Sequence, residues 1–108
     1  MAHYMIEAGY TPEAWKTLLK KPQDRTKAIR PAVEKLGGSL EGAWFSFGDY
    51  DLVLIVEMPD NVSAAAFSLA AAAGGGLRSI KTTPLLEITE GVGAMKRATQ
   101  TGYRPPGK

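Results

Sequence analysis

The stretch Ala43–Asp60, AWFSFGDYDLVLIVEMPD, reads as two adjacent strands joined by a turn. Gly48-Asp49 stands between two apolar runs, and a glycine at the first central position supplies the positive φ of a tight two-residue hairpin. Phe47 then faces Tyr50. Counting outward with the two-residue period of a strand places Phe45 and Phe47 on one face with Tyr50, Leu52, Leu54, Val56 and Met58. Trp44, Ser46, Asp51, Val53, Ile55 and Glu57 fall on the other. That second face is half apolar, and Leu52–Val56 is apolar without a break. Such a strand is buried on both sides, whereas a strand with one wet face alternates. In a chain of 108 residues the simplest cover for the second face is another copy of the same chain, stacked sheet on sheet. The alternative is a sheet left open, its β-branched residues merely suiting a strand.

Composition bounds the rest. The length suits one domain with one modest core. The 13 lysines and arginines are spread along the chain, and the net charge is only +2, so the basic stripe of a nucleic-acid binder is missing and no nucleic-acid partner is expected. The absence of cysteine excludes disulfides, thiolate catalysis and cysteine-held metal. The opening residues MAHYMIEAGY lack the pattern of a signal peptide, and no window approaches the ~18 apolar residues of a membrane span. A cytoplasmic protein with no membrane partner is the expectation.

Taken in order, His3–Tyr10 alternates as a first strand. Thr11-Pro12 opens a helix, with Thr11 capping the free amides and Pro12 in the first helical position. Pro22 closes it. A second helical stretch runs from about Gln23 to Leu36 with Gly37 as its stop, and Pro31 must either kink it on the solvent side or start a new helix. After the hairpin, Asp60-Asn61 caps a helix over Val62–Ala73, which Gly74-Gly75-Gly76 ends. Arg78–Leu85 reads as a polar edge strand, and Thr89–Ala98 as a short last helix. Residues 1–98 form the single domain. Residues 99–108 are a tail that is mobile or reaches a neighbouring subunit.

The order strand, helix, strand, strand, helix, strand is that of a ferredoxin-like α+β fold, βαββαβ, with a four-stranded antiparallel sheet. Its two main helices cover one sheet face and leave the other over. The segment Phe47–Val53 with Val56–Asp60 resembles the signature of the GYD-domain family. Gly48, Tyr50 and Asp51 are the matches, and Asp49 expands the triplet by one residue. Leu36-Gly37-Gly38 and Arg78–Thr83 are also similar to that family, so the likeness spans roughly residues 3 to 90. The resemblance implies a dimeric α/β barrel, two sheets facing each other, in a homodimer or higher homo-oligomer whose interior takes a small organic ligand. No common reaction is established for the family, and the working histidines of enzymatic relatives in the wider superfamily have no counterpart here.

Two function classes stay open. In the first the chain is a small-ligand-binding or assembly module, with Trp44, Asp51 and Glu57 at a pocket mouth between subunits. In the second it is a cofactor-independent oxygenase or isomerase of a small organic substrate. His3, the only histidine, would then work with Glu7 or Glu57 as acid and base. The turn residues Gly48, Asp49, Tyr50 and Asp51 also have a purely structural reading, Tyr50 packing on Phe47 and Asp51 accepting from turn amides. No cofactor is called for, and one histidine among scattered carboxylates is a poor set for a transition metal, so no metal is expected.

Overall fold

The computed structural model describes residues 1–107. The chain runs β1 (Ala2–Tyr10), α1 (Pro12–Lys20), α2 (Thr26–Lys35), β2 (Ser39–Phe45), β3 (Leu52–Met58), α3 (Asn61–Ala73), β4 (Leu77–Leu85) and α4 (Ile88–Ala98). The sheet has the order β2-β3-β1-β4 with every neighbouring pair antiparallel. This is the expected ferredoxin-like α+β arrangement, and β4 is an edge strand.

Local chemistry sets the helix starts. Thr11 Oγ1 accepts a hydrogen bond from the Ala14 amide at 3.1 Å, with Pro12 in the first turn where its missing N–H costs nothing. Asp60 accepts from the Ser63 amide at 2.8 Å and opens α3. The helix α2 begins at Thr26 rather than Gln23, because the Asp24 carboxylate takes the Thr26 amide at 2.9 Å. Pro31 lies inside α2 on its exposed side and does not end it.

The even-numbered residues of β1 and β3 point to one face. There Tyr4, Ile6, Leu54, Val56 and Met58 pack with Val33 of α2 and with Ala64 and Phe67 of α3. Transferring these side chains from water at ~25 cal/mol per Å² is the main driving term for the monomer fold. The odd-numbered residues point to the other face, which α1, α2 and α3 leave bare.

The hairpin departs from expectation in its turn and keeps it in its register. Trp44 pairs with Val53 and Phe45 with Leu52, the same pairing that Phe47 opposite Tyr50 predicts. The ladder stops there, and residues 46–51 form a wider loop instead of a two-residue turn. Ser46 N donates to Asp51 O and Gly48 N to Tyr50 O, both at 2.9 Å. The left-handed residue is Phe47, with φ 50°, and not Gly48. That conformation costs an L-residue about 1–2 kcal/mol, and it places the Phe47 ring in a stack on Phe45, centroids 5.3 Å apart, with Trp15 6.3 Å away. The aromatic packing offsets the strain, and Phe45 and Trp15 are its partners rather than Tyr50.

Helix α4 and the residues after it stand apart from this body. No other element makes more than marginal contact with α4. The chain is accordingly long, 58 × 34 × 21 Å with a radius of gyration of 17.3 Å, against about 13 Å for a compact chain of this size. No described helix is long and apolar enough to cross a membrane.

Candidate functional site

The bare sheet face is the candidate site. Its middle is apolar, with Met5 of β1 opposite Ile55 and the neighbouring Val53 on β3. Trp44 of β2 joins them, 58% exposed. Its indole folds back over Gly42, where a Cβ would collide with the ring, so the missing side chain of Gly42 lets Trp44 lie flat along its own strand.

One end of the face is acidic. His3 pairs with Glu57 across β1 and β3, and its Nε2 lies 3.2 Å from a carboxylate oxygen of Glu41 and its Nδ1 3.7 Å from one of Glu87. Glu57 in turn stands 3.9 Å from the amino terminus. Glu41 arrives there through a β-bulge. Leu40 pairs with Val56 and Gly42 with Ile55, leaving Glu41 as the extra residue, and a bulge re-aims the side chain it carries. An imidazole between carboxylates can hold or pass a proton. The donor atoms of His3, Glu41 and Glu57 lie within 4.8 Å of one another, although one imidazole and two carboxylates remain a weak set for a transition metal.

The opposite end is braced by Arg78. Its guanidinium lies across Gly9, where a Cβ would meet Cζ at 2.5 Å. It donates to the Asp49 carbonyl at 2.9 Å and stands 3.6 Å from the Asp51 carboxylate.

The expected site residues are thus dispersed. His3 and Glu57 are cross-strand neighbours, with ligand atoms within 4.8 Å of each other. Glu7 does not join them, since it pairs across strands with Val53 and Lys81. Trp44 lies on the open face. Asp51 does not share a pocket mouth with Trp44 and Glu57. Its side chain is 13% exposed and accepts from the Tyr10 amide at 2.9 Å and from Trp15 Nε1 at 3.3 Å, which makes it a brace between loop, strand and helix. Gly48, Asp49 and Tyr50 contribute through their backbones, and Ser46 Oγ adds a bond to the Tyr50 carbonyl at 2.7 Å. Glu41 and Glu87 are the residues that sequence reasoning passes over. Gly42 within a strand is the one local sign of the bulge that delivers Glu41.

A separate apolar cleft of about 440 Å³ lies on the helix side, between β2 and the segment that joins α1 to α2. Pro22, Ile29, Ala43 and Phe45 form its walls, with Asp24 and Trp44 also lining it.

A four-stranded antiparallel sheet with helices on one face defines a small ferredoxin-like protein. The GYD-domain family profile matches residues 4–95, and the chain belongs to that family. A comparison with curated proteins finds no match. Among solved structures, the chain is similar to FFRP-DM1, with a TM-score of 0.50 and 16% identity over 80% of this chain and all of that one. It is also similar to MtbAldR, with a TM-score of 0.50 and 15% identity, covering 80% of this chain and 52% of MtbAldR, about half its length. At such identities the likeness concerns the fold alone.

Proposed function

We propose that the chain works as a homo-oligomer in which two open sheet faces meet and enclose an interior that binds a small organic molecule. One observation carries this reading: the half-buried Met5, Val53 and Ile55 and the exposed Trp44 form an apolar face opposite the core, and among the described residues α1, α2 and α3 pack on the other side of the sheet. Exposed apolar patches of this kind mark association surfaces or ligand grooves. The acidic group around His3 gives the enclosed space one polar wall, which would orient a ligand with hydrogen-bond donors. The test is mass spectrometry of native protein, first intact and then after release of bound molecules. An apolar or aromatic compound released in stoichiometric amount supports the reading, and a repeatedly empty oligomer contradicts the ligand half of it.

A second reading, a cofactor-independent oxygenase or isomerase, is favoured by His3 standing between Glu41 and Glu87. Here His3 would take a proton from the substrate while the carboxylates hold its ring and balance its charge. Replacing His3 by alanine should then abolish turnover of the released compound while leaving the oligomer intact. Unchanged turnover would remove His3 from the chemistry.

A further inference from the structure

The cleft on the helix side of the sheet exists because α1 and α2 do not run into each other. Pro22 keeps α1 from continuing, and Asp24 holds the start of α2 at Thr26, its Oδ1 accepting from the Thr26 amide at 2.9 Å and from the Thr26 hydroxyl. The link between the two helices stands off β2 and leaves about 440 Å³ of space, within the range of pockets that take small molecules. Most of the lining is apolar. Ile29, Ala43 and Leu52 are continuous with the hydrophobic core. Phe45 is still 54% exposed beside its stack with Phe47, and Trp44 supplies a second ring.

Arg25 is the cation of this cleft. Its Nη1 donates to Oε1 of Gln23 at 3.2 Å, and both residues line the space. Among the described residues Arg25 makes no ion pair. Asp24 is the acidic residue of the lining, and its charge is directed elsewhere. The Thr26 hydroxyl and then its amide hold the Asp24 carboxyl below the usual carboxylate range, with Lys27 and Arg30 as further cations nearby. The cleft therefore joins apolar and aromatic walls to one guanidinium whose charge has no carboxylate partner.

We propose that this cleft binds a small aromatic carboxylate, its ring against Phe45 and Trp44 and its carboxylate paired with Arg25. A flat ring there gains apolar burial and ring-on-ring contact together. The planar guanidinium presents parallel N–H donors that match the two oxygens of a carboxylate. An aliphatic acid would meet the cation and leave the rings unused. An aromatic amine would meet Arg25 as a like charge, which disfavours it. The cleft lies on the helix side of the sheet, opposite the open face, so a single chain holds the whole site. The inference thus goes beyond the ligand of the enclosed interior and does not depend on the oligomer.

The probe is naphthoate, titrated into the full chain by calorimetry and followed by NMR, with naphthamide as its uncharged counterpart and naphthylmethylammonium as its cationic one. Naphthoate is expected to bind saturably, once per chain, at least about tenfold more tightly than naphthamide, and to shift the Trp44 indole N–H and the Ile29 methyl signals. Arg25→Met should remove that preference, weakening naphthoate at least about tenfold and leaving naphthamide within about twofold. Arg25 is exposed and its side chain does not cap α2, so the unfolding transition of the variant should persist. Arg25→Lys, which keeps the charge and loses the paired donors, should restore part of the affinity. Ile55→Asp, on the open face, should leave naphthoate binding unchanged, whereas a ligand held between two sheets would be lost with their contact. The absence of saturable binding overturns the proposal. So does equal affinity for acid and amide, tighter binding of the ammonium, or shifts confined to Met5 and Ile55.

Discussion

The carboxylate of Asp51 accepts a 2.9 Å hydrogen bond from the backbone amide of Tyr10, and so ties the loop after β2 to the end of β1. The same carboxylate takes Trp15 Nε1 at 3.3 Å and stands 3.6 Å from Arg78. Removing it leaves a part-buried amide and an indole N–H without an acceptor, each worth roughly 1–3 kcal/mol. Asp51→Ala should therefore lower unfolding stability by about 2–3 kcal/mol in urea titrations, allowing for partial access of water. A loss below about 0.5 kcal/mol, the size of an ordinary surface substitution, would show that the loop is held by its aromatic stack instead.

Two glycines should respond in opposite ways. At Gly38 a Cβ would collide with the Glu57 carbonyl oxygen and come within 2.5 Å of Met58 Sδ, and the backbone cannot yield as a side chain would. Gly38→Ala should cost about 1–3 kcal/mol, the range of overpacked cores. At Gly48 nothing lies within 4 Å of a Cβ, and the residue does not take a positive φ. Gly48→Ala should stay within about 0.5 kcal/mol of the parent. A large loss there would restore the tight two-residue turn.

Acid should loosen the helix starts. The Ser63 amide, and then its hydroxyl, hold the Asp60 carboxyl below the usual carboxylate range. The Thr26 hydroxyl and amide do the same for Asp24. A carboxyl whose folded pKa lies below its unfolded value of about 3.9 contributes stability above that pH and loses it as pH falls toward the folded value. The denaturation midpoint should hold level from pH 7 to about 5 with respect to these groups and drop below about pH 4. Asp60→Asn, which keeps an oxygen acceptor without a charge to protonate, should shrink that drop. An identical acid limb in the variant would place its origin elsewhere.

Much of the fold is legible because local chemistry writes it. The unbroken apolar run of Leu52–Val56 announces a strand, and Thr11-Pro12 and Asp60 mark the helix starts. The pairing of Phe45 with Leu52 also follows from centring the hairpin on Gly48-Asp49. The loop between β2 and β3 is not legible, because tertiary contacts decide it. Asp51 goes to Tyr10 and Trp15, and Phe47 accepts a strained backbone to stack on Phe45. The site is legible only in part. His3 opposite Glu57 is a matter of strand register, but Glu41 depends on a bulge, and Glu87 on the end of β4 lying beside the start of β1. Glu7 fails to join His3 because alternate residues of a strand share a face without sharing partners.

The central claim is that identical chains cover each other's open sheet face, and sedimentation of the wild-type chain beside Ile55→Asp tests it most directly. Ile55 is on the bare face, so a carboxylate there leaves the core of Tyr4, Ile6 and Val56 untouched and places charge in the proposed contact. The wild type is predicted to sediment at twice the chain mass of 11.6 kDa, or a higher multiple, and the variant to dissociate while its cooperative unfolding persists. A wild-type chain that sediments at 11.6 kDa across the whole concentration range would contradict the claim.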